Sequence, residues 1–109
     1  MHKNLPGEKH DEGKLLAGIL YDFALALECI AECGTFGAKK YSRGNWQRVD
    51  EGIRRYWDGF WRHLLKSRHE EFDKESGKPH RWHMLWNLTA WLELYERDYM
   101  ERSKHGNDI

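Results

Sequence analysis

The sequence predicts an all-α fold: a small bundle of three main helices, at about 14–34, 50–68 and 79–100, with a structured glycine-rich loop between the first two. Three observations predict it. Apolar residues recur at three-to-four-residue spacing in three separate stretches, which is the mark of helices with one buried stripe. Glycine and proline stand between those stretches. A chain of 109 residues has room for one domain. The organisation expected is a flexible polar arm at 1–12, a single helical domain at 13–101 and a frayed tail at 102–109.

The arm, MHKNLPGEKHDE, is polar and holds Pro6 and Gly7. From Lys14 to Cys33 the apolar positions are Leu16, Ile19, Leu20, Phe23, Leu27 and Ile30, and Gly34 and Gly37 read as the stop. Three glycines in 34–49 (GTFGAKKYSRGNWQRV) predict a loop. Asp50 is the expected N-cap of the second helix, whose stripe is Ile53, Tyr56, Trp57, Phe60, Trp61 and Leu64. A polar connection, 69–79, ends at Pro79, a residue suited to a first helical turn. The third helix carries Met84, Leu85, Leu88, Trp91, Leu92 and Tyr95 on its main face. Trp82 and Trp86 lie away from that face, so a second apolar side predicts a homo-oligomer, dimer or higher.

Six Trp, five Tyr and four Phe let so short a chain assemble a core. Lys and Arg total 18 against 18 Asp and Glu, a balance that argues against a general nucleic-acid coat. No stretch has the length of a membrane span, and no apolar run of signal-peptide type opens the chain. Cys29 and Cys33 read as small core thiols. The expected location is the cytoplasm.

The chemistry concentrates in DKESGKPHRWHMLWN, residues 73–87. On a helix His80, His83 and Asn87 fall within about 60° of one another, at the margin of the apolar sector. They are either core-edge groups bonded to backbone or ligands of a divalent metal. His63 holds a similar position on the second helix. Arg55, Asp58 and Arg62 form either an exposed salt-bridge ladder or a phosphate clamp in which Asp58 orients a guanidinium. Glu28 and Glu32, one turn apart, suit Mg²⁺ or Mn²⁺, yet lie opposite the apolar face of their helix. They are solvated unless the loop or a second subunit covers them. The acids of the connection, Glu70, Glu71, Asp73 and Glu75, offer more oxygens or make an ordinary turn. In the 34–49 loop, Lys39, Lys40 and Arg43 interleave with Tyr41 and Trp46, a mixture that suits a stacked base and a held phosphate. Equally, Tyr41 and Trp46 can plug the end of the bundle.

FGAKKYSRGNW (36–46), RHLL (62–65) and DKESGKPHRWH (73–83) followed by Asn87, with DEGKL (11–15) and Leu27–Glu28, resemble the phage dATP/dGTP diphosphohydrolase N-terminal domain family over roughly residues 11–96. The resemblance implies an α-helical phage or prophage protein that hydrolyses purine deoxynucleoside triphosphates to monophosphate and pyrophosphate. A divalent cofactor, Mg²⁺ or Mn²⁺, is implied by the chemistry of the MazG-like all-α pyrophosphohydrolases. The matching positions are Lys40, Tyr41, Asn45, Trp46, Asp58, Arg62, His63, Asp73, Ser76, Gly77, His80, His83 and Asn87. Two departures stand out. RHEEFD replaces the family's Gly-Glu pair before Asp73, leaving Glu70 and Glu71 both as counterparts. The MazG-like glutamate cluster with ExxD is reduced to Glu28 and Glu32.

The expected centre therefore has Glu28, His63, Asp73 and His83 as catalytic residues, with metal ligands drawn from Glu28, Glu32, His63, Asp73, His80, His83 and Asn87. Lys40, Arg55 and Arg62 would hold phosphates, while Tyr41 or Trp46 faces the base of a purine nucleotide. The alternatives are a protein that binds its nucleotide without cutting it and a helical protein-interaction module.

Overall fold

In the computed structural model the described residues run from 6 to 106. Residues 1–5 of the expected arm and 107–109 of the expected tail lie outside them. The described chain is helical, with no strand among the described residues beyond a single bridge between Phe72 and Pro79. A 3-10 segment, Ala17–Phe23, leads into α1, Ala24–Lys40. A 3-10 turn at Asn45–Arg48 precedes α2, Gly52–Ser67, and α3 spans His80–Lys104.

The second and third helices pack closely along their lengths. Trp57 meets Trp91 at 5.1 Å between ring centroids, and Trp91 meets Tyr95 at 5.4 Å. Two glycines let the backbone of α2 come close to α3: a Cβ on Gly52 would strike Leu94, and one on Gly59 would strike Asn87. The first helix lies on the other side of α3, against Trp86.

Four boundaries differ from expectation, each for a physical reason. α1 does not stop at Gly34 or Gly37 but continues to Lys40, consuming the first half of the expected loop. Gly34 serves contact instead of termination, since a Cβ there would lie 2.6 Å from the Trp86 ring. The stretch before Ala24 is a 3-10 coil without a side-chain cap, because it lacks the tertiary packing that stabilises an α-helix. Asp50 does not cap α2; Glu51 stands before Gly52 in the left-handed region (φ 52°) and pairs with Arg54. α3 passes Met100 to reach Lys104, its last turns laced by Arg97–Glu93, Arg102–Asp98 and His105–Glu101 pairs one turn apart.

The larger correction concerns α1 and its approach. Leu16, Ile19, Leu20, Phe23 and Leu27, read as a core stripe, are all exposed. The radius of gyration is 18.8 Å, against ~13 Å for a compact domain of this length. Conversely, Trp86, read as an exposed second face, is half-buried beneath α1 and edge-on to Trp46.

Candidate functional site

The connection between α2 and α3 closes on itself and lays a carboxylate against three imidazoles. Asp73 N–H donates to the Lys78 carbonyl, Gly77 N–H donates to the Asp73 carbonyl, and Gly77 takes a left-handed φ of 74° to complete the turn. The Asp73 side chain accepts from Ser76 N–H at 2.8 Å. Pro79 then directly precedes His80, the first residue of α3.

Across this turn, His63 of α2 and His80 of α3 meet Nδ1 to Nδ1 at 2.8 Å, so one ring donates and the other accepts. His83 stacks on His63 at 4.7 Å between centroids, nearly parallel at 11°. Its Nε2 is 2.7 Å from Ser76 Oγ and 3.9 Å from Asp73 Oδ2. Ligand-capable atoms of His63, Asp73 and His80 all lie within 4.8 Å of one another. His80 is 1% exposed; Glu70 Oε1 stands 3.4 Å from its Nε2, but off the N–H direction, so that nitrogen makes no hydrogen bond.

Electrostatics suits these groups to a cation. Burial pushes the His63 pKa down to about 4, helped by the neighbouring His83, so the ring is neutral near pH 7. Burial also lowers His83. At Asp73 burial raises the pKa, but hydrogen bonds from the Ser76 N–H and hydroxyl, with His83 and His63 nearby, outweigh it and hold the carboxyl below its ordinary value. A neutral His63 imidazole beside the ionised Asp73 carboxylate offers donors of the kind a divalent ion takes.

Two clefts open beside this centre. One, of about 330 Å³, is lined by His63, Asp73 and His83 together with Lys40, Arg62 and Lys66. The other, of about 460 Å³, is lined by Trp46, Arg43, Asn45 and Arg55. Gly37, Tyr41, Arg62 and Trp86 belong to both, so the clefts adjoin. Among the described residues the guanidiniums of Arg55 and Arg62 make no ion pair, unlike that of Arg54, which is held by Glu51 and Asp58. A family model described as dATP/dGTP diphosphohydrolase, N-terminal, matches residues 4–104.

The chain belongs to that family. No curated protein and no solved structure matches it.

The predicted residues divide clearly. His63, Asp73, His80 and His83 come together, and Lys40, Arg62, Tyr41, Arg55 and Trp46 line the two clefts. Lys40 is engaged by Glu75, which raises its pKa, and its ammonium lies 5.2 Å from the Tyr41 ring centre. Trp46 is wedged between Trp86 and Arg97, serving both as end plug and as cleft wall.

Three predicted ligands stand apart. Among the described residues Glu28 is exposed and makes no hydrogen bond or ion pair, and no group of close ligand atoms includes it. Glu32 pairs with Lys78 at 3.0 Å instead of turning to the imidazoles. Asn87 donates to the His83 carbonyl one turn back and packs its amide oxygen on Gly59, leaving it a packing group beside the second cleft. Asp58 orients Arg54, not Arg55 or Arg62, because the side chain one turn earlier on the helix reaches it first.

Of the two acids before Asp73, Glu70 faces His80, whereas Glu71 pairs outward with Arg81. Lys66 was not singled out from the sequence, and its only signal was a spacing of four from Arg62. Ser76, a family-matching position, caps the turn through Asp73, and its spacing of three from Asp73 was the available sign of that turn.

Proposed function

We propose that the chain hydrolyses purine deoxynucleoside triphosphates to monophosphate and pyrophosphate, in a reaction that depends on a divalent cation. Membership of the family supports the reaction class. The observation that carries the reading is the adjoining pair of clefts, with an imidazole–carboxylate cluster in one, an aromatic and cationic wall in the other, and Arg62 shared between them.

His63, Asp73 and His80 would hold the ion, and their nitrogen-rich set suits Mn²⁺ better than Mg²⁺, which prefers oxygen. When bound, such an ion neutralises phosphate charge and lowers the pKa of water. Glu70 sits behind His80, 3.4 Å from its Nε2, and a small turn of the carboxylate would let it fix that imidazole as an outer partner. Arg62 and Lys66 are free to take phosphate oxygens, and Lys40 reaches them by exchanging Glu75. Tyr41, more exposed than Trp46, offers its ring to the base from the seam of the two clefts. Water attacks the α-phosphorus, the bond from it to the bridging oxygen breaks, and pyrophosphate leaves. His83, neutral and held by Ser76, is placed to accept the proton.

Purified protein with Mn²⁺ should release pyrophosphate from dATP or dGTP, and His63→Ala should abolish the release. Four intact deoxynucleotides after incubation with Mn²⁺ and with Mg²⁺ would overturn the reading. The position of Glu28, outside the cluster, favours a second reading in which the same clefts bind a nucleotide without cleavage. Calorimetry in EDTA separates the two, because binding that survives chelation without turnover belongs to the second.

A further inference from the structure

Among the described residues two acidic side chains line the smaller cleft, Asp73 and Glu75. Asp73 belongs to the imidazole cluster, whereas Glu75 is turned to Lys40, whose ammonium it meets at 2.5 Å. The neighbouring acids are engaged elsewhere: Glu32 holds Lys78, Glu71 holds Arg81 and Glu70 stands behind His80. Lys40 and Glu75 are both exposed, so their contact is weak and readily exchanged. The backbone beneath it is firmly held. Asp73 N–H and Gly77 N–H close the turn, Ser76 N–H fixes the Asp73 carboxylate, and Lys78 reaches across to Glu32 on α1 at 3.0 Å. Glu75 can therefore change partner by side-chain rotation alone, while the turn that presents Asp73 stays in place.

We propose that the Lys40–Glu75 pair is an exchange latch through which cation and nucleotide bind cooperatively. A phosphate takes Lys40, and the released Glu75 carboxylate turns to the cation as a second charged oxygen ligand beside Asp73. This rests on the nucleotide reading above and adds its regulation. Charge supplies the reason. Alone, the cluster offers a divalent ion one carboxylate, in a cleft also lined by the cations of Arg62 and Lys66. Affinity for such an ion follows the number of charged oxygens around it, and Mn²⁺ accepts carboxylate beside imidazole. While Glu75 neutralises Lys40, neither ligand is well served: the phosphate subsite holds an internal anion, and the cation lacks its second carboxylate. Filling either site frees the group that the other needs, and coupling of this kind is reciprocal.

Calorimetry of the full chain with Mn²⁺ alone, without nucleotide, tests the cation side. Lys40→Gln releases Glu75 permanently and should bind Mn²⁺ about 5- to 10-fold more tightly than the unaltered chain, at the lower end of such couplings. Adding Glu75→Gln to that variant should remove the gain. Lys66→Gln takes the same charge from the same cleft and should gain much less. All three side chains are exposed, so each variant should keep its helical circular dichroism. With EDTA in place of metal, Glu75→Gln should bind pyrophosphate several-fold more tightly, since Lys40 is then unopposed. Equal Mn²⁺ affinity in the unaltered chain and Lys40→Gln overturns the exchange. So does a gain that survives in the double variant or is matched by Lys66→Gln, and so does a pyrophosphate affinity that Glu75→Gln leaves unchanged. Absence of Mn²⁺ binding from every form is a different result: it overturns the cation reading itself, and the exchange falls with it.

Discussion

The α2–α3 pair and the α1 region carry apolar patterns of similar regularity, and the fold treats them differently. Along α2 and α3 the stripe closes on itself through Trp57, Trp91 and Tyr95. Before and along the first turns of α1 it meets water. The same contrast holds for polar groups. His80 and His63 are drawn in and bonded to each other, while Glu28, equally suited to a metal by type, stands in solvent. Periodicity reports that a face needs cover; it does not say which surface supplies it. Polar groups become a site only where two covered elements cross.

Single substitutions test that contrast, beginning with the largest effect. Trp91→Ala should cost about 3 kcal/mol in urea unfolding, since a half-buried ring stacked on Trp57 and Tyr95 is lost. Leu25→Ala should cost under about 0.5 kcal/mol, the ordinary range for a surface position. Equal costs would mean that the chain covers its own N-terminal stripe.

Next comes the centre. Glu70→Gln should weaken Mn²⁺ binding about 10- to 100-fold, as loss of an outer partner of a ligating histidine does. Glu28→Gln should leave the isotherm unchanged, and a matching loss there would bring α1 into the site.

Within α1 two glycines should respond in opposite directions. Gly34→Ala drives a methyl into the Trp86 ring and should destabilise by about 1–3 kcal/mol. Gly37→Ala has nothing within reach of the new methyl and should stabilise by up to about 1 kcal/mol through helix propensity. Thermal melts of both variants check the pair.

A further, gradual effect is a pH slope that arises in the α2–α3 half. The pKa of His63 is about 4 in the fold, below its ordinary 6.5, so the unfolded chain binds the proton more readily between those values. Stability from this group is complete above pH 6.5 and is lost as pH falls toward 4. After allowance for its partial exposure the change is on the order of 1 kcal/mol. His63→Gln should flatten that part of the stability–pH curve, and an unchanged slope would assign the proton elsewhere.

Much of the site was legible in residues 63–87, because His80 and His83 share a helical margin and an acidic turn precedes them. A second helix with His63 at the edge of its stripe completed the pattern. Asn87 fitted the same register, but its amide N–H bonds the carbonyl one turn back and its oxygen lies against Gly59, a placement that spacing alone does not disclose. The course of α1 was hidden for a different reason. Gly34 looks identical in sequence whether it ends a helix or admits a ring, and only the position of Trp86 distinguishes them. Arg54 likewise took Asp58 from its neighbours through geometry that spacing alone does not rank.

Cys33 lies at the wall between α1 and the imidazole centre, and burial pushes its thiol up to about 11. A sulfur so reluctant to ionise is a poor target for oxidants and alkylating reagents while the helices are shut. Its labelling rate is therefore a clock for the lifting of α1 from α3, readable by mass spectrometry without altering a single residue of the centre.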